Sequence, residues 1–151
     1  MRIYVASSWR NTFQPAVVQA LRGDGHAVYD FREPGSGWGE GSAGPGPFSW
    51  SEISESWMEW VGDIPMYLQA LLHPRAEEGF RRDMDALERA QVCVMVHPAG
   101  VSAAMETGFA CGAGKAVFVY VPGLREPDLM VKMAALITDK LDEIRNAIGS
   151  A

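Results

Sequence analysis

Short apolar runs alternate along this chain with stretches whose apolar positions recur at helical spacing. Arg2 to Ala6 predicts a strand. Pro15, followed by Val17, Val18 and Leu21, predicts a helix that stops near Gly23 and Gly25. A second strand is expected over Ala27 to Phe31. Pro74 opens a long helix to about Ala90, with proline in the first turn where its missing N–H does no harm. Gln91 to Val96 is the third and strongest strand. A helix from about Ser102 runs into Gly112 and Gly114, a C-cap signal. Ala116 to Val121 is a fourth strand. A short helix near Pro127 to Lys132, a weak strand at Ala135 to Ile137 and a last helix capped by Asp139 complete the series.

Strand and helix in alternation imply a parallel sheet with helices on both faces. The expected fold is α/β: a flavodoxin- or Rossmann-like three-layer sandwich on five parallel strands, one domain over residues 1–151. The alternation breaks after the second strand, between about Glu33 and Asp63. Residues 34–47 hold six glycines and three prolines, and Trp38, Trp50, Trp57 and Trp60 follow one another from there. One reading is a long surface loop pinned to the body by its aromatic side chains. The other is an active-site lid whose rings stack on a planar ligand. Ser51 to Glu55 looks like a helix start, so part of the insertion is expected to be ordered.

Composition narrows the function classes. A net charge of −6 argues against a nucleic-acid polymer as partner, because counterion release needs a basic face, but it leaves a free nucleoside or nucleotide open. No apolar run reaches membrane-spanning length and the first residues already read as strand, so a cytoplasmic protein without a signal peptide is expected. Cys93 and Cys111 are expected to be reduced core residues. His26, His73 and His97 are scattered and have no metal-ligand spacing. Gly39 to Gly44 matches Gly-x-Gly-x-x-Gly, but no strand leads into it and Pro45 and Pro47 follow where a helix should open. It is therefore read as chance in a glycine-rich loop.

The candidate chemistry lies elsewhere. Glu106 is the only charged residue between His97 and Lys115, amid Ala103, Ala104, Met105, Gly108, Phe109 and Ala110. It follows the strongest strand, where ligands bind in open α/β sheets. An acid in a first helical turn is also favoured by the helix dipole, which explains a surface glutamate well but one flanked by these small and apolar residues poorly. Asp83 falls among Ala76, Phe80, Leu87 and Ala90 when the long helix is laid out at about 100° per residue, whereas Asp85 faces away with Glu78 and reads as a solvated charge. Asp83 could instead cap a neighbouring backbone or pair with an arginine such as Arg10. The run Ser7-Ser8-Trp9-Arg10-Asn11 after the first strand offers hydroxyls, a guanidinium and amides to a phosphate or a sugar hydroxyl.

Ile3-Tyr4 in the first strand, Asp83 before the third, and Ala104-Met105-Glu106-Thr107-Gly108-Phe109-Ala110 followed by Gly114-Lys115 resemble the nucleoside 2-deoxyribosyltransferase superfamily. That superfamily includes base-exchanging transferases and 2'-deoxynucleoside 5'-phosphate N-hydrolases. The resemblance runs from the first strand to about Val121, with Glu126 to Met133 beyond, and its most specific part is residues 105–110. It implies Glu106 as the catalytic nucleophile, Asp83 as the active-site aspartate and Tyr4 as the residue that orients the nucleophile. It implies substrate contacts from Ser7, Ser8, Trp9, Arg10, Gly100, Ser102 and Met105, no cofactor and no metal. Six positions before the nucleophile, transferases carry an acidic residue and N-hydrolases a phosphate-binding serine. This chain has Gly100 there, with Ser102 close by. Trp9 resembles the transferases, and Ser8 and Arg10 the phosphate-binding loop of the hydrolases.

The implied reaction is cleavage of an N-glycosidic bond through a glycosyl-enzyme intermediate, with the 2-deoxyribosyl group passed to another base. Hydrolysis of a nucleoside 5'-monophosphate is the rival within enzymes. A non-catalytic nucleotide sensor is the rival from another class, and a flavodoxin-like redox or signalling domain ranks lowest. The resemblance also implies a homo-oligomer. Trp57, Trp60, Met66, Tyr67 and Leu71 could form its interface or pack internally.

Overall fold

The first strand pairs on both edges, and the rest of the sheet is laid out from it. In the computed structural model, which describes residues 1–34 and 46–150, β1 (Arg2–Ala6) lies between β2 (Ala27–Asp30) and β3 (Val92–Val96), and β4 (Ala116–Tyr120) and β5 (Leu136–Thr138) follow beyond β3. The order is β2-β1-β3-β4-β5 and every pair is parallel. The winding direction therefore reverses between β1 and β3, which is where open α/β sheets leave a ligand crevice. All of β3 is buried, which explains its unbroken apolar run.

Side chains alternate between the two faces of the sheet and build two cores. On one face, Ile3, Val5, Val28, Val92, Val94 and Phe118 meet α1 (Gln14–Gly23) and α5 (Leu141–Gly149) through Val17, Leu21, Ile144 and Ile148. On the other, Tyr4, Ala6, Tyr29, Cys93 and Val117 meet α3 (Pro74–Arg89) and α4 (Val101–Gly112) through Ala86, Leu87, Ala103 and Ala110.

Several expectations need correction. Directly after the insertion comes a helix, α2 (Ile64–Leu71), that the apolar pattern does not announce. Nearly every position in it is apolar, so no stripe stands out, and all but Ala70 are exposed. Asp63 starts it by accepting from Met66 N at 3.0 Å. The last helix is not capped by Asp139: its N-cap is Lys140, which makes no side-chain cap bond. Thr138 does the local work, accepting from Lys140 N at 3.1 Å and donating to Glu143 at 2.6 Å. The short helix expected near Pro127 is a 3₁₀ turn over Met130–Met133. Cys93 is buried but Cys111 is only half-buried, and both are free. Phe80 is exposed, because the buried stripe of α3 is centred on Ala76, Gly79, Ala86 and Leu87, about one position round from the expected one.

Trp38 and the Gly39 to Gly44 stretch lie outside the described residues. For Trp50 and Trp60 the plainer reading of the insertion holds. Trp50 packs edge-on against Phe48 at 5.0 Å, Trp60 at 5.8 Å and Tyr67 at 6.2 Å. Ser49 and Glu52 form a capping box. Glu52 then receives Arg75 of α3 through two bonds of 2.8 and 3.0 Å, docking the segment on the first turn of the helix that bears Asp83. No helix among the described residues is long and apolar enough to cross a membrane.

Phe48 sits directly over Gly79: a methyl on Gly79 would come within 2.8 Å of Phe48 Cβ and 3.0 Å of its Cγ. The clash is with the root of the ring, so side-chain rotation does not relieve it. Gly79→Ala is expected to lift residues 46–52 from α3 and to cost about 1–3 kcal/mol. Urea melts and the rate of proteolytic nicking in that segment measure this. Unchanged values of both would show the contact to be slack.

Candidate active site

Four acidic side chains from four separate elements meet on the α3/α4 face of the sheet. Register places Tyr4 of β1 beside Tyr29 of β2, and their rings stack at 5.3 Å with planes 17° apart. The Tyr29 hydroxyl donates to Asp83 Oδ1 at 2.7 Å. So the partner of Asp83 is Tyr29 rather than Arg10, which is exposed and forms no ion pair among the described residues. Glu106 stands in the second turn of α4, whose first turn holds no acid, so the dipole explanation does not apply. On the same side of that helix Ala103, Thr107 and Ala110 are buried, and Thr107 donates to Ala103 O at 2.7 Å. Asp83 and Glu106 are both half-buried.

The electrostatics follow from this crowding. Burial pushes the Glu106 carboxyl up to about 8, the nearby Asp83 adds to the rise, and the Tyr4 phenol opposes it. Burial also raises Asp83, while the bond from Tyr29 and the charge of Arg82 pull the other way. Burial and the two carboxylates hold both tyrosines well above the usual phenol range. The Tyr4 hydroxyl is fully enclosed and makes no hydrogen bond of ordinary geometry among the described residues, although it lies beside Glu106. A buried phenol beside a carboxyl can orient it once the carboxyl ionises. Because two neighbouring acids disfavour each other's charge, the pair retains a proton near neutral pH.

The side chains of the loop after β1 are partly committed. Ser7 donates to Val96 O at 3.0 Å, tying the ends of β1 and β3 together. Ser8 Oγ accepts from Arg10 N at 3.3 Å. Trp9 is half-exposed, its ring edge-on to Phe31 at 5.2 Å. Gly100 is the N-cap of α4 in extended backbone, and it borders a cleft of about 410 Å³ shared with His97, Arg125 and Asp128. Ser102 and Met105 are exposed. The structure thus brings Glu106, Asp83 and Tyr4 together and leaves Met105 pointing outward. On α4, Ala104, Met105 and Phe109 are exposed, since only one side of that helix meets the sheet. A larger concavity of about 500 Å³, around Asp24, Asp142 and Arg145, lies beside α1 and α5 on the opposite face of the sheet, and Arg145 pairs there with Asp24 at 2.6 Å and Asp142 at 2.8 Å. No group of three or more His, Cys, Asp or Glu suited to a metal is present among the described residues.

Tyr29 was missed by sequence reasoning, as were Gln14, Asp30 and Arg32 behind it. Asn11, quoted there only for its amide, has a larger part. It donates to Val96 O at 3.0 Å and Pro98 O at 3.1 Å, and accepts from Phe13 N at 2.7 Å and Gln14 N at 3.0 Å. Gln14 donates to Asp30 Oδ1 at 2.8 Å, and Asp30 also holds Arg32 N at 2.9 Å. The available signal was a carboxylate ending the apolar run Ala27-Val28-Tyr29.

Compared by sequence, the chain matches no family model and no curated protein. Among solved structures, it is similar to a 2-deoxyribosyltransferase from the psychrotolerant bacterium Bacillus psychrosaccharolyticus. That likeness has a TM-score of 0.59 at 21% identity and covers 97% of this chain and 91% of the other. It establishes the Rossmann-like α/β fold expected from the sequence.

Glu106 holds its proton more tightly in the folded chain than unfolded, where its value is near 4.5. Its contribution to stability is therefore fully present below about 4.5 and is lost as pH rises through about 8. Glu106→Gln, which cannot ionise, is expected to match the wild type in acid and to exceed it above pH 8 by at most about 5 kcal/mol. Denaturant melts of both proteins across this range test it. A stability difference that does not change with pH would mean the carboxyl is well hydrated.

Proposed function

We propose that the chain belongs to the nucleoside 2-deoxyribosyltransferase superfamily, that it cleaves the N-glycosidic bond of a deoxynucleoside and that it passes the 2-deoxyribosyl group to a second base. The observation that carries this reading is the meeting of Glu106, Asp83 and Tyr4, far apart in sequence, in one poorly hydrated seam with both carboxyls raised. A transferase of deoxyribosyl groups with the same fold over nearly the whole chain supports it.

In this reading Glu106 attacks C1' of the sugar. As the C1'–N bond breaks, its electron pair goes to the leaving base and the sugar gains oxocarbenium character, which the adjacent carboxylate stabilises before bonding to it. The base needs a proton, and the acid pair carries one. The productive arrangement places that proton on Asp83, which hands it to the base and leaves Glu106 as the nucleophile. The Tyr4 hydroxyl, free of other bonds among the described residues, donates to Glu106 and fixes its approach. An incoming base then attacks C1', releases Glu106 and returns its proton to Asp83. Trp9 stacks on the base, and Gly100 and Ser102 border the substrate at the start of α4.

Hydrolysis of a deoxynucleoside 5'-monophosphate is the second reading. It is favoured by Arg10, an exposed guanidinium in the loop after β1 that has no ion pair among the described residues and suits a phosphate. In solution the chain is read as a homo-oligomer. Val101, Met105 and Phe109 form an exposed apolar line along α4 suited to burial against another copy. The earlier candidates divide, since Trp60 is buried internally while Met66, Tyr67 and Leu71 are exposed.

Deoxynucleosides and deoxynucleotides, each incubated with and without an acceptor base, separate the two reactions: transfer gives a new nucleoside, hydrolysis gives free base and sugar or sugar phosphate. Glu106→Ala is expected to lower turnover at least about 1000-fold, with circular dichroism unchanged. A variant of near-normal rate would remove the nucleophile.

The shared proton sets the pH profile. Productive enzyme has one proton on the pair, so kcat/KM should rise as the first carboxyl ionises and fall as the second does, near pH 8. A rate that keeps climbing above pH 8 would mean that the base takes its proton from elsewhere.

A further inference from the structure

Arg32 lies just beyond β2, in sequence far from the acids, and is built into the loop after β1. Its Nη2 is 2.8 Å from Ser8 O, 3.0 Å from Trp9 O and 2.8 Å from Asn11 O. Three carbonyl oxygens of the loop after β1 therefore converge on one amino group that has two hydrogens to share. Carbonyl dipoles aimed at one point repel one another, so this loop shape requires a cation at its centre. The same guanidinium lies 6.0 Å from the centre of the Trp9 ring and 5.7 Å from that of Phe31. Trp9 is thus held by its own carbonyl, by a cation at its ring and by the edge of Phe31, while half of its surface stays open. Arg32 is itself anchored, its N–H bonded to Asp30, which is buried and also holds Gln14.

We propose that Arg32 is a positioning residue that sets the loop after β1, and with it the Trp9 ring, in the pose that stacks on the base of a nucleoside. It touches no reacting atom and acts through Trp9. The proposal rests on the nucleoside reading above for its ligand, but the clamp on Trp9 is independent of it.

The test uses the full chain labelled with 5-fluorotryptophan, the Trp9 fluorine resonance being assigned by its loss in Trp9→Phe. Arg32→Met keeps the reach of the side chain and removes the cation. Arg32→Lys returns an ammonium with three donors for the three carbonyls. In Arg32→Met the Trp9 line is expected to shift while the lines of the other four tryptophans stay in place. KM for a deoxynucleoside should rise about tenfold with kcat within about twofold. Arg32→Lys should recover most of both. A Trp9 line and KM unchanged in Arg32→Met would overturn the proposal. So would collapse of all the lines in both variants, which would make Arg32 a support of the whole fold. If the wild type turns over no nucleoside or nucleotide while the Trp9 line still moves in Arg32→Met and returns in Arg32→Lys, the clamp stands and the nucleoside reading fails.

Discussion

Burying a carboxyl costs free energy unless something answers its charge, and this fold places two in one seam. Asp83 and Glu106 arrive on different helices over a pair of stacked tyrosines, and protein replaces most of the water around them. Each raises the cost of ionising the other or is relieved by one phenol. The bond from Tyr29 eases Asp83, and the hydroxyl of Tyr4 is held in reserve for Glu106. Such an arrangement opposes stability as pH rises, so the two apolar cores on either side of the sheet must carry the fold against it. For the proposed transfer the opposition is useful, because that reaction needs a nucleophile and an acid to coexist near neutral pH in one place.

The geometry of the seam depends on a second set of buried polar groups at the carboxyl ends of the strands. Asn11, Gln14 and Asp30 are almost fully enclosed, and each bonds to another loop or strand end. Together they join the segment after β1 to the ends of β2 and β3. Buried polar networks of this kind fix one arrangement, since breaking one member leaves its partners unsatisfied in a place without water. Arg32 extends the network outward to Trp9. The candidate catalytic groups sit on regular elements and Ser7, Ser8, Trp9 and Arg10 on a loop, which the network holds in a defined shape next to the sheet.

The legible part of the site was the part written locally. Glu106 stood out because its neighbours are small or apolar, and Asp83 because helical periodicity put it among apolar positions. Tyr29 carried no such mark: an aromatic residue in a strand fits core packing equally well, and its bond to Asp83 spans 54 positions. α2 escaped notice because a helix with apolar residues all round has no amphipathic signature. Asp139 has the residue type of a cap, whereas the geometry of the turn gives that work to Thr138.

The sequence by itself determined the α/β alternation, the strand that bears Tyr4 and the two acids worth attention, because periodicity and local composition are properties of neighbouring residues. Which residues those acids meet, which side of α4 faces outward and which cation shapes the loop after β1 were decided only by the tertiary structure. These depend on register between strands and on the docking of helices, so residues tens of positions apart become neighbours by a geometry that no local pattern encodes.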